Sequence, residues 1–167
     1  KHLEYAKSFY SNGNTSERYV HDKFGMNYRF TNIQAALLFS QLEILDSIIE
    51  KKQEIKYFYE KELNSVLKFQ SEEKHTKHSN WMVGARIENN DYKNFEIFMY
   101  KNNIEIRPMF YSISRHKHLN GIKNTKENNS ILLSKECFML PSHPLLKQSD
   151  LKYIVEKIKK FIGDKDD

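Results

Sequence analysis

A polar turn that runs directly into a strongly marked helix start most constrains the fold of this chain. Gly25, Asn27 and Arg29 lie in the turn, where glycine permits backbone conformations that residues with a Cβ avoid. Thr31 and Gln34 then have the T-x-x-Q spacing of a capping box, in which two side chains satisfy backbone N–H groups at a helix N-terminus. Polar groups held beside a helix N-terminus suit an anion such as a phosphate. A well-capped helix that binds nothing is the simpler alternative.

The helix predicted after this cap is long. From Asn32, apolar residues recur at steps of three, four and seven for about thirty residues, and neither proline nor glycine interrupts them. We therefore expect one helix that runs to about Leu63. A helix of this length usually extends past its own domain or packs against a partner.

Short strands and helices alternate along the rest of the chain. The pattern predicts further helices over residues 1–10, 91–102, 130–136 and 150–162, and strands over residues 66–69, 81–87, 104–107 and 137–141. Pro108 is expected to stop the third strand, and Ser149 is expected to cap the last helix. This order predicts a small α/β or α+β domain, with a short sheet covered by helices.

Composition excludes several classes of function. The net charge of +5 comes from 22 lysines and only five arginines, and the lysines alternate with acidic residues along predicted helices, so we expect no nucleic-acid partner. Cys137 is the only cysteine, and it lies in an apolar run that predicts a buried, inert thiol. No apolar stretch is long enough to span a bilayer, so we expect a cytoplasmic protein with no membrane partner. His75 and His78 lack a third ligand at a suitable spacing, so no metal site is expected.

Three segments carry a resemblance to a known family. The first reads G-x-N-Y-R-x-T-x-I-Q-A-A and then Q-L-E-x-L-D, between Gly25 and Asp46. The second is IEIRPMFY, from Ile104 to Tyr111, and the third is CFMLPSHPLL, from Cys137 to Leu146. Together they resemble the DegT/DnrJ/EryC1/StrS family of pyridoxal-phosphate-dependent sugar aminotransferases, which have the type I aminotransferase fold. The second segment is similar to the perosamine- and viosamine-synthase-like branch of that family.

The resemblance implies a place within a longer enzyme. Residues 31–167 would form the C-terminal small domain with its long linking helix, and residues 1–30 would be an interface arm and a remnant of the large domain. The chain does not begin with Met and opens in the middle of a helical pattern, so we expect a fragment. In the family, the lysine that forms the Schiff base, the acidic residue on the pyridine nitrogen and the stacking aromatic belong to the large domain. This chain is therefore expected to hold no catalytic residue and to be inactive alone.

The resemblance also assigns binding residues. In the family, the asparagine of G-x-N-Y-R reaches the pyridoxal phosphate of the neighbouring subunit, so Asn27 is expected to contact the cofactor phosphate in trans within a homodimer. Tyr28 and Arg29, beside it, are weaker candidates for the same cofactor site.

A second set of candidates concerns the substrate. Arg107 lies at the end of a predicted strand, where a guanidinium can clamp a carboxylate or phosphate with two parallel hydrogen bonds. An internal ion pair is the alternative for this residue. The proline and histidine of the family motif fall on Ser112 and Ser114 in this chain, so contact with the sugar or nucleotide is assigned to Ser114 or His116.

The resemblance implies transfer of an amino group from glutamate to a nucleotide-linked 4-keto-6-deoxy sugar, in nucleotide-sugar and polysaccharide biosynthesis. Two alternatives stay open. Some family members are 3-dehydratases with histidine in place of the Schiff-base lysine, and the position that decides this is not in the chain. The second alternative is a free-standing module whose long helix binds a partner without catalysis.

Overall fold

The structure is a computed structural model that describes residues 1–17, 19–87, 92–116 and 128–163. It forms two compact units, Lys1–Asp46 and Ser47–Asp167. The helices are α1 (His2–Tyr10), α2 (Asn32–Glu43), α3 (Leu45–Leu63), α4 (Tyr92–Lys101), a 3₁₀ helix (Ile113–Arg115), α5 (Asn128–Glu136) and α6 (Gln148–Gly163). The strands are β1 (Lys68–Phe69), β2 (Val83–Arg86), β3 (Arg107–Pro108) and β4 (Cys137–Leu140).

The first unit has almost no interior of its own. After α1 the chain doubles back, and Ser11 pairs with Asn27 and Asn14 with His21 in isolated antiparallel bridges. Among the described residues of this unit, only Gly13 is buried. Large apolar side chains are exposed along both α1 and α2 instead. The prediction that residues 1–30 are an interface arm with a remnant of the large domain stays a prediction.

The long helix predicted from Asn32 to Leu63 is interrupted. α2 ends at Glu43 and α3 begins at Leu45, because Ile44 leaves the helical region with φ −111° and ψ 6°. The prediction of a single continuous helix was therefore wrong, although its first and last turns are where the pattern placed them. Apolar residues continue across the break, so the pattern gave no sign of it.

The second unit is built on a four-stranded antiparallel sheet with the order β1-β2-β4-β3. Val83 lies opposite Leu140 and Ala85 opposite Phe138, so these four side chains share the buried face of the sheet. A mixed fold of helices and a small antiparallel sheet confirms the predicted α+β class. Pro108 lies inside β3 rather than beyond its end, which is possible because β3 is an edge strand.

Three helices cover the buried face of this sheet. Buried residues of α3, α4 and α6 form one hydrophobic cluster with those of β2 and β4. Phe95 of α4 links the layers, with its ring centroid 4.9 Å from that of Phe138 and 5.1 Å from that of Phe161. α6 starts at Gln148, two residues earlier than predicted, and the Asp150 carboxylate rather than Ser149 accepts the backbone N–H of Lys147.

Candidate functional site

The arm before α2 is held in place by main-chain hydrogen bonds to the end of α1. The backbone N–H of Met26 donates to the carbonyl oxygen of Phe9 at 2.8 Å, and that of Tyr28 donates to the carbonyl oxygen of Tyr10 at 2.9 Å. The backbone N–H of Asn12 donates to the Met26 carbonyl oxygen at 3.1 Å. These bonds fix the path of residues 26–28 without using any side chain of that segment.

Two glycines make this close pairing possible. A Cβ on Gly25 would lie 2.3 Å from the backbone nitrogen of Gly13, and a Cβ on Gly13 would lie 1.9 Å from the Lys23 carbonyl oxygen. Gly13 also has a φ of +70°, in the left-handed region that favours glycine. The φ of Gly25 lies outside that region, so Gly25 provides space rather than the special conformation that the sequence suggested.

The predicted capping box is present at the start of α2. The backbone N–H of Gln34 donates to Thr31 Oγ1 at 3.3 Å, and the backbone N–H of Thr31 donates to Gln34 Oε1 at 2.9 Å. The side chains of Thr31 and Gln34 therefore each accept a hydrogen bond from a backbone N–H group that the helix itself leaves without a partner. The prediction that Thr31 and Gln34 begin the helix is confirmed.

The residues predicted to bind the cofactor project from this arm. The side chains of Asn27, Tyr28 and Arg29 are exposed, and the Tyr28 ring rests edge-on against Phe9 with centroids 6.3 Å apart. An amide, a phenol and a guanidinium on a fixed main chain just before a helix N-terminus form a donor set that fits a phosphate. Binding of the pyridoxal phosphate group by these residues stays a prediction.

The predicted substrate residue Arg107 lies in the edge strand β3, opposite Met139 of β4, so their side chains share one face of the sheet. Its Nε donates to Glu105 Oε1 at 3.4 Å, and both side chains are mostly exposed. An exposed pair with this separation contributes little to stability.

The other two predicted substrate residues follow β3 in the 3₁₀ helix and at its end. Ser114 is the central residue of the helix, and His116 follows it with its backbone N–H donating to the Ile113 carbonyl oxygen. His116 is exposed. Among the described residues that line the pocket next to Arg107, His116 is absent. Their contact with a substrate stays a prediction.

A pocket of about 790 Å³ lies next to Arg107, within the second unit. Its walls come from the start of α3, the segment before β2, the approach to β3, the turn after β4 and the first turns of α6. The apolar residues Met139, Leu140 and Ile154 line it together with Trp81, which is 62% exposed. The pocket thus combines apolar walls, an accessible aromatic ring and charged groups.

Lys52 connects two walls of this pocket. Its Nζ donates to the carbonyl oxygens of Trp81 and Ser142, both at 3.0 Å, and so joins the segment before β2 to the turn after β4. Burial lowers the pKa of the Lys52 ammonium from its ordinary value. On the same turn, His143 Nδ1 accepts the backbone N–H of Leu145 at 3.2 Å, so the proton of the neutral ring is on Nε2.

Sequence reasoning found Arg107 but not the other polar residues of this pocket. The sequence pattern placed Lys52 among many lysines on a solvated helix face, and it placed His143 in a structural turn. Trp81 offered the one usable signal, since it is the only tryptophan and it directly follows a polar loop.

Within the described ranges, no helix is long and apolar enough to cross a membrane. The same residues contain no group of three or more His, Cys, Asp or Glu side chains arranged to hold a metal ion.

Two curated proteins are similar in sequence to most of this chain. GDP-perosamine synthase of Escherichia coli O157:H7 is 34% identical over 149 residues, which is 89% of this chain and 41% of that protein. GDP-perosamine synthase of Vibrio cholerae is 33% identical over 158 residues, again 41% of that protein. The chain thus spans about two fifths of the length of the curated relatives it matches.

Solved structures share the fold. A DegT DnrJ EryC1 StrS aminotransferase from Brucella abortus superposes with a TM-score of 0.83 at 22% identity, over 94% of this chain and 42% of that one. The model of the DegT/DnrJ/EryC1/StrS aminotransferase family matches residues 1–159, nearly the whole chain. The chain therefore belongs to the DegT/DnrJ/EryC1/StrS aminotransferase family.

Proposed function

We propose that this chain is the C-terminal part of a pyridoxal-phosphate-dependent enzyme that transfers an amino group from glutamate to a nucleotide-linked 4-keto-6-deoxy sugar. The observation that carries the proposal is the similarity to two GDP-perosamine synthases over nearly nine tenths of the chain. Pyridoxal phosphate, when bound, supplies the electron sink for amino transfer. The catalytic residues would belong to the part of the relatives that this chain does not span, so the chain alone would be inactive.

The role of Asn27 in the proposal is to hold the cofactor phosphate across a homodimer. Support comes from its exposed amide on a main chain fixed by three hydrogen bonds, four residues before a capped helix N-terminus. Tyr28 and Arg29 add a hydroxyl and a cation to the same donor set. The proposed location is the cytoplasm, with which the single unpaired cysteine is compatible.

The surface of α2 supports the dimer in this proposal. Ile33 and Leu37 lie on one face of the helix, and Ile33 is 76% exposed. Leu38 and Leu42 are exposed on a second face, about 140° away, with Gln34 between the two stripes. A helix that is apolar on more than one side is normally buried on each of those sides. The contacts of a longer chain and of a second subunit would together cover both stripes.

The cofactor role is tested by Asn27→Ala in the full-length enzyme. We expect weaker retention of pyridoxal phosphate, measured by its absorbance after dialysis, with little change in the thermal unfolding midpoint. Asn64→Ala, at an exposed asparagine after α3, is the matched control and should retain the cofactor. Unchanged cofactor retention in Asn27→Ala would count against the assignment.

The reaction is tested by incubating the full-length enzyme with glutamate and with GDP- or dTDP-linked 4-keto-6-deoxy or 3-keto sugars. NMR of the product should show the new amino group at C4. Amination at C3, or no reaction with any 4-keto substrate, would contradict the proposal. Loss of the C3 hydroxyl without amination would instead indicate the 3-dehydratase activity found elsewhere in the family.

A further inference from the structure

We propose that Asn12 is a site of spontaneous deamidation, that the folded turn protects it, and that its conversion to isoaspartate releases the arm before α2. Asn12 is followed by Gly13. A glycine has no side chain to shield its backbone nitrogen, so this nitrogen can approach the amide of a preceding asparagine closely. In the described part of the chain, three asparagines have a positive φ, and of these only Asn12 precedes a glycine; they are Asn12, Asn80 and Asn103.

The reaction needs water as its only co-reactant. The backbone nitrogen of Gly13 forms a bond to Cγ of Asn12, the bond from Cγ to the side-chain nitrogen breaks, and ammonia leaves with the proton that the backbone nitrogen loses. Water then opens the cyclic imide at either carbonyl carbon. One opening gives aspartate, and the other gives isoaspartate, in which the main chain passes through one additional carbon atom. Asn12 is exposed, so water reaches it freely.

The fold holds the Gly13 nitrogen away from this reaction. Asn12 and Gly13 have φ values of +62° and +70°, as in the type I′ turn that an Asn-Gly pair favours. The backbone N–H of Asn14 closes the turn on the Ser11 carbonyl oxygen at 3.2 Å. The backbone N–H of Gly13 donates to the Ser8 carbonyl oxygen at 2.7 Å, and Gly13 is buried. Attack on the Asn12 amide therefore requires the turn to open first.

Two residues from later in the chain help to keep the turn closed. The Nδ1 of His21 lies 2.9 Å from the Asn12 carbonyl oxygen and donates a hydrogen bond to it, since a carbonyl oxygen only accepts. Gly25 lies directly against the Gly13 nitrogen, because a Cβ on Gly25 would be 2.3 Å from that atom. The protection of Asn12 therefore depends on contacts that the arm itself makes.

Isoaspartate at position 12 would in turn disturb the arm. The backbone N–H of Asn12 donates to the Met26 carbonyl oxygen at 3.1 Å, and the Gly13 carbonyl oxygen accepts the backbone N–H of Asp22 at 3.2 Å. An additional main-chain carbon between these two groups changes their separation, so both hydrogen bonds cannot be kept. The arm also carries Asn27, and only the consequence for cofactor retention rests on the proposed function.

The first test compares the native full-length enzyme with the same protein in guanidinium chloride, at one temperature and pH. Trypsin releases residues 8–18 as one peptide, so mass spectrometry reads Asn12 and Asn14 together. In the denatured chain Asn12 should deamidate faster than Asn14, which precedes threonine. In the native enzyme the rate at Asn12 should be lower by about tenfold or more. The second Asn-Gly pair, Asn120 and Gly121, lies outside the described residues and in a different tryptic peptide.

Variants show whether the arm provides the protection. His21→Ala and Gly25→Ala should each speed deamidation of Asn12 in the native enzyme and leave the rate in the denatured chain unchanged. Gly163→Ala, with open space around it, is the control and should change neither rate. Circular dichroism establishes folding, and His21→Ala keeps the test valid if Gly25→Ala does not fold. Equal native and denatured rates at Asn12, or native rates unchanged in the folded variants, would overturn the proposal.

The effect on the arm is measured on the isoaspartate form, separated from aged enzyme by ion exchange. Its Met26 amide should exchange hydrogen faster than in the unmodified enzyme. Asn12→Asp is the matched control, since it has the same charge with a main chain of normal length, and it should keep the slow exchange. Slow exchange in the isoaspartate form would contradict release of the arm. Cofactor retention is measured separately, so failure of the proposed function and failure of this inference are distinguishable.

Discussion

The hydroxyl of Tyr59 should stabilise the second unit by about 1 kcal/mol. Tyr59 is fully buried in α3, and its hydroxyl donates to the Pro141 carbonyl oxygen at 2.9 Å. Tyr59→Phe keeps the packed ring and removes only this hydrogen bond, whose net contribution is typically about 0.5–1.5 kcal/mol. With a urea m-value of about 2 kcal/mol per molar, the midpoint of unfolding should fall by about 0.5 M.

The matched control for this change is Tyr57→Phe, on the same helix. Tyr57 is 68% exposed, so loss of its hydroxyl should leave the urea midpoint unchanged. If Tyr59→Phe and the wild type unfold at the same urea concentration, the hydrogen bond to Pro141 contributes nothing and the reasoning fails.

Alkaline pH gives a second measurement on the same pair of proteins. Burial raises the pKa of the Tyr59 hydroxyl well above its ordinary value. A pKa that is higher in the folded state gives stability that is fully present below the unfolded-state pKa, about 10, and is lost as pH rises above it. The wild type should therefore lose stability more steeply than Tyr59→Phe between about pH 10 and pH 11. Parallel losses would contradict the assignment.

Three further predictions concern single sites. Thr31→Ala should cost about 1 kcal/mol at the start of α2, seen as roughly fivefold faster exchange of the Gln34 amide, while Thr31→Ser should retain the protection. Gly25→Ala should speed hydrogen exchange of the Met26 amide, because the added Cβ would collide with backbone atoms. Gly163→Ala is the control and should leave this exchange unchanged, because the space around Gly163 is open. Unchanged exchange at Met26 in Gly25→Ala would refute the packing argument. Burial raises the pKa of the Cys137 thiol, so it should react with a disulfide reagent only after denaturation; rapid reaction of the native protein would show that it is accessible.

Local signals predicted local structure well. The T-x-x-Q pattern located the start of α2 at the correct residue, because a capping box depends only on side chains three positions apart. The periodic pattern also located α4 and α6 to within two residues at each end that the structure describes. The apolar run from Cys137 to Leu140 was correctly interpreted as an extended, buried segment.

Features that depend on distant contacts were not predictable in the same way. The break at Ile44 has neither proline nor glycine to mark it, and helix-forming residues continue on both sides. The pocket joins Lys52 to Ser142, which are 90 positions apart in the sequence, and no local pattern relates two such residues. Arg107 was singled out because it belongs to the family-like segment from Ile104 to Tyr111 and lies at a predicted strand end before a proline.

The two glycines of the arm have a consequence for how this segment can evolve. What a new side chain at Gly13 or Gly25 would strike is main chain: the Lys23 carbonyl in the first case and the Gly13 nitrogen in the second. A smaller neighbouring side chain cannot relieve such a clash, because every residue carries the same backbone. Genetic suppressors of a mutation at either glycine should therefore be insertions, deletions or reversions rather than compensating substitutions nearby, and the two positions should be retained or lost together among descendants of this sequence.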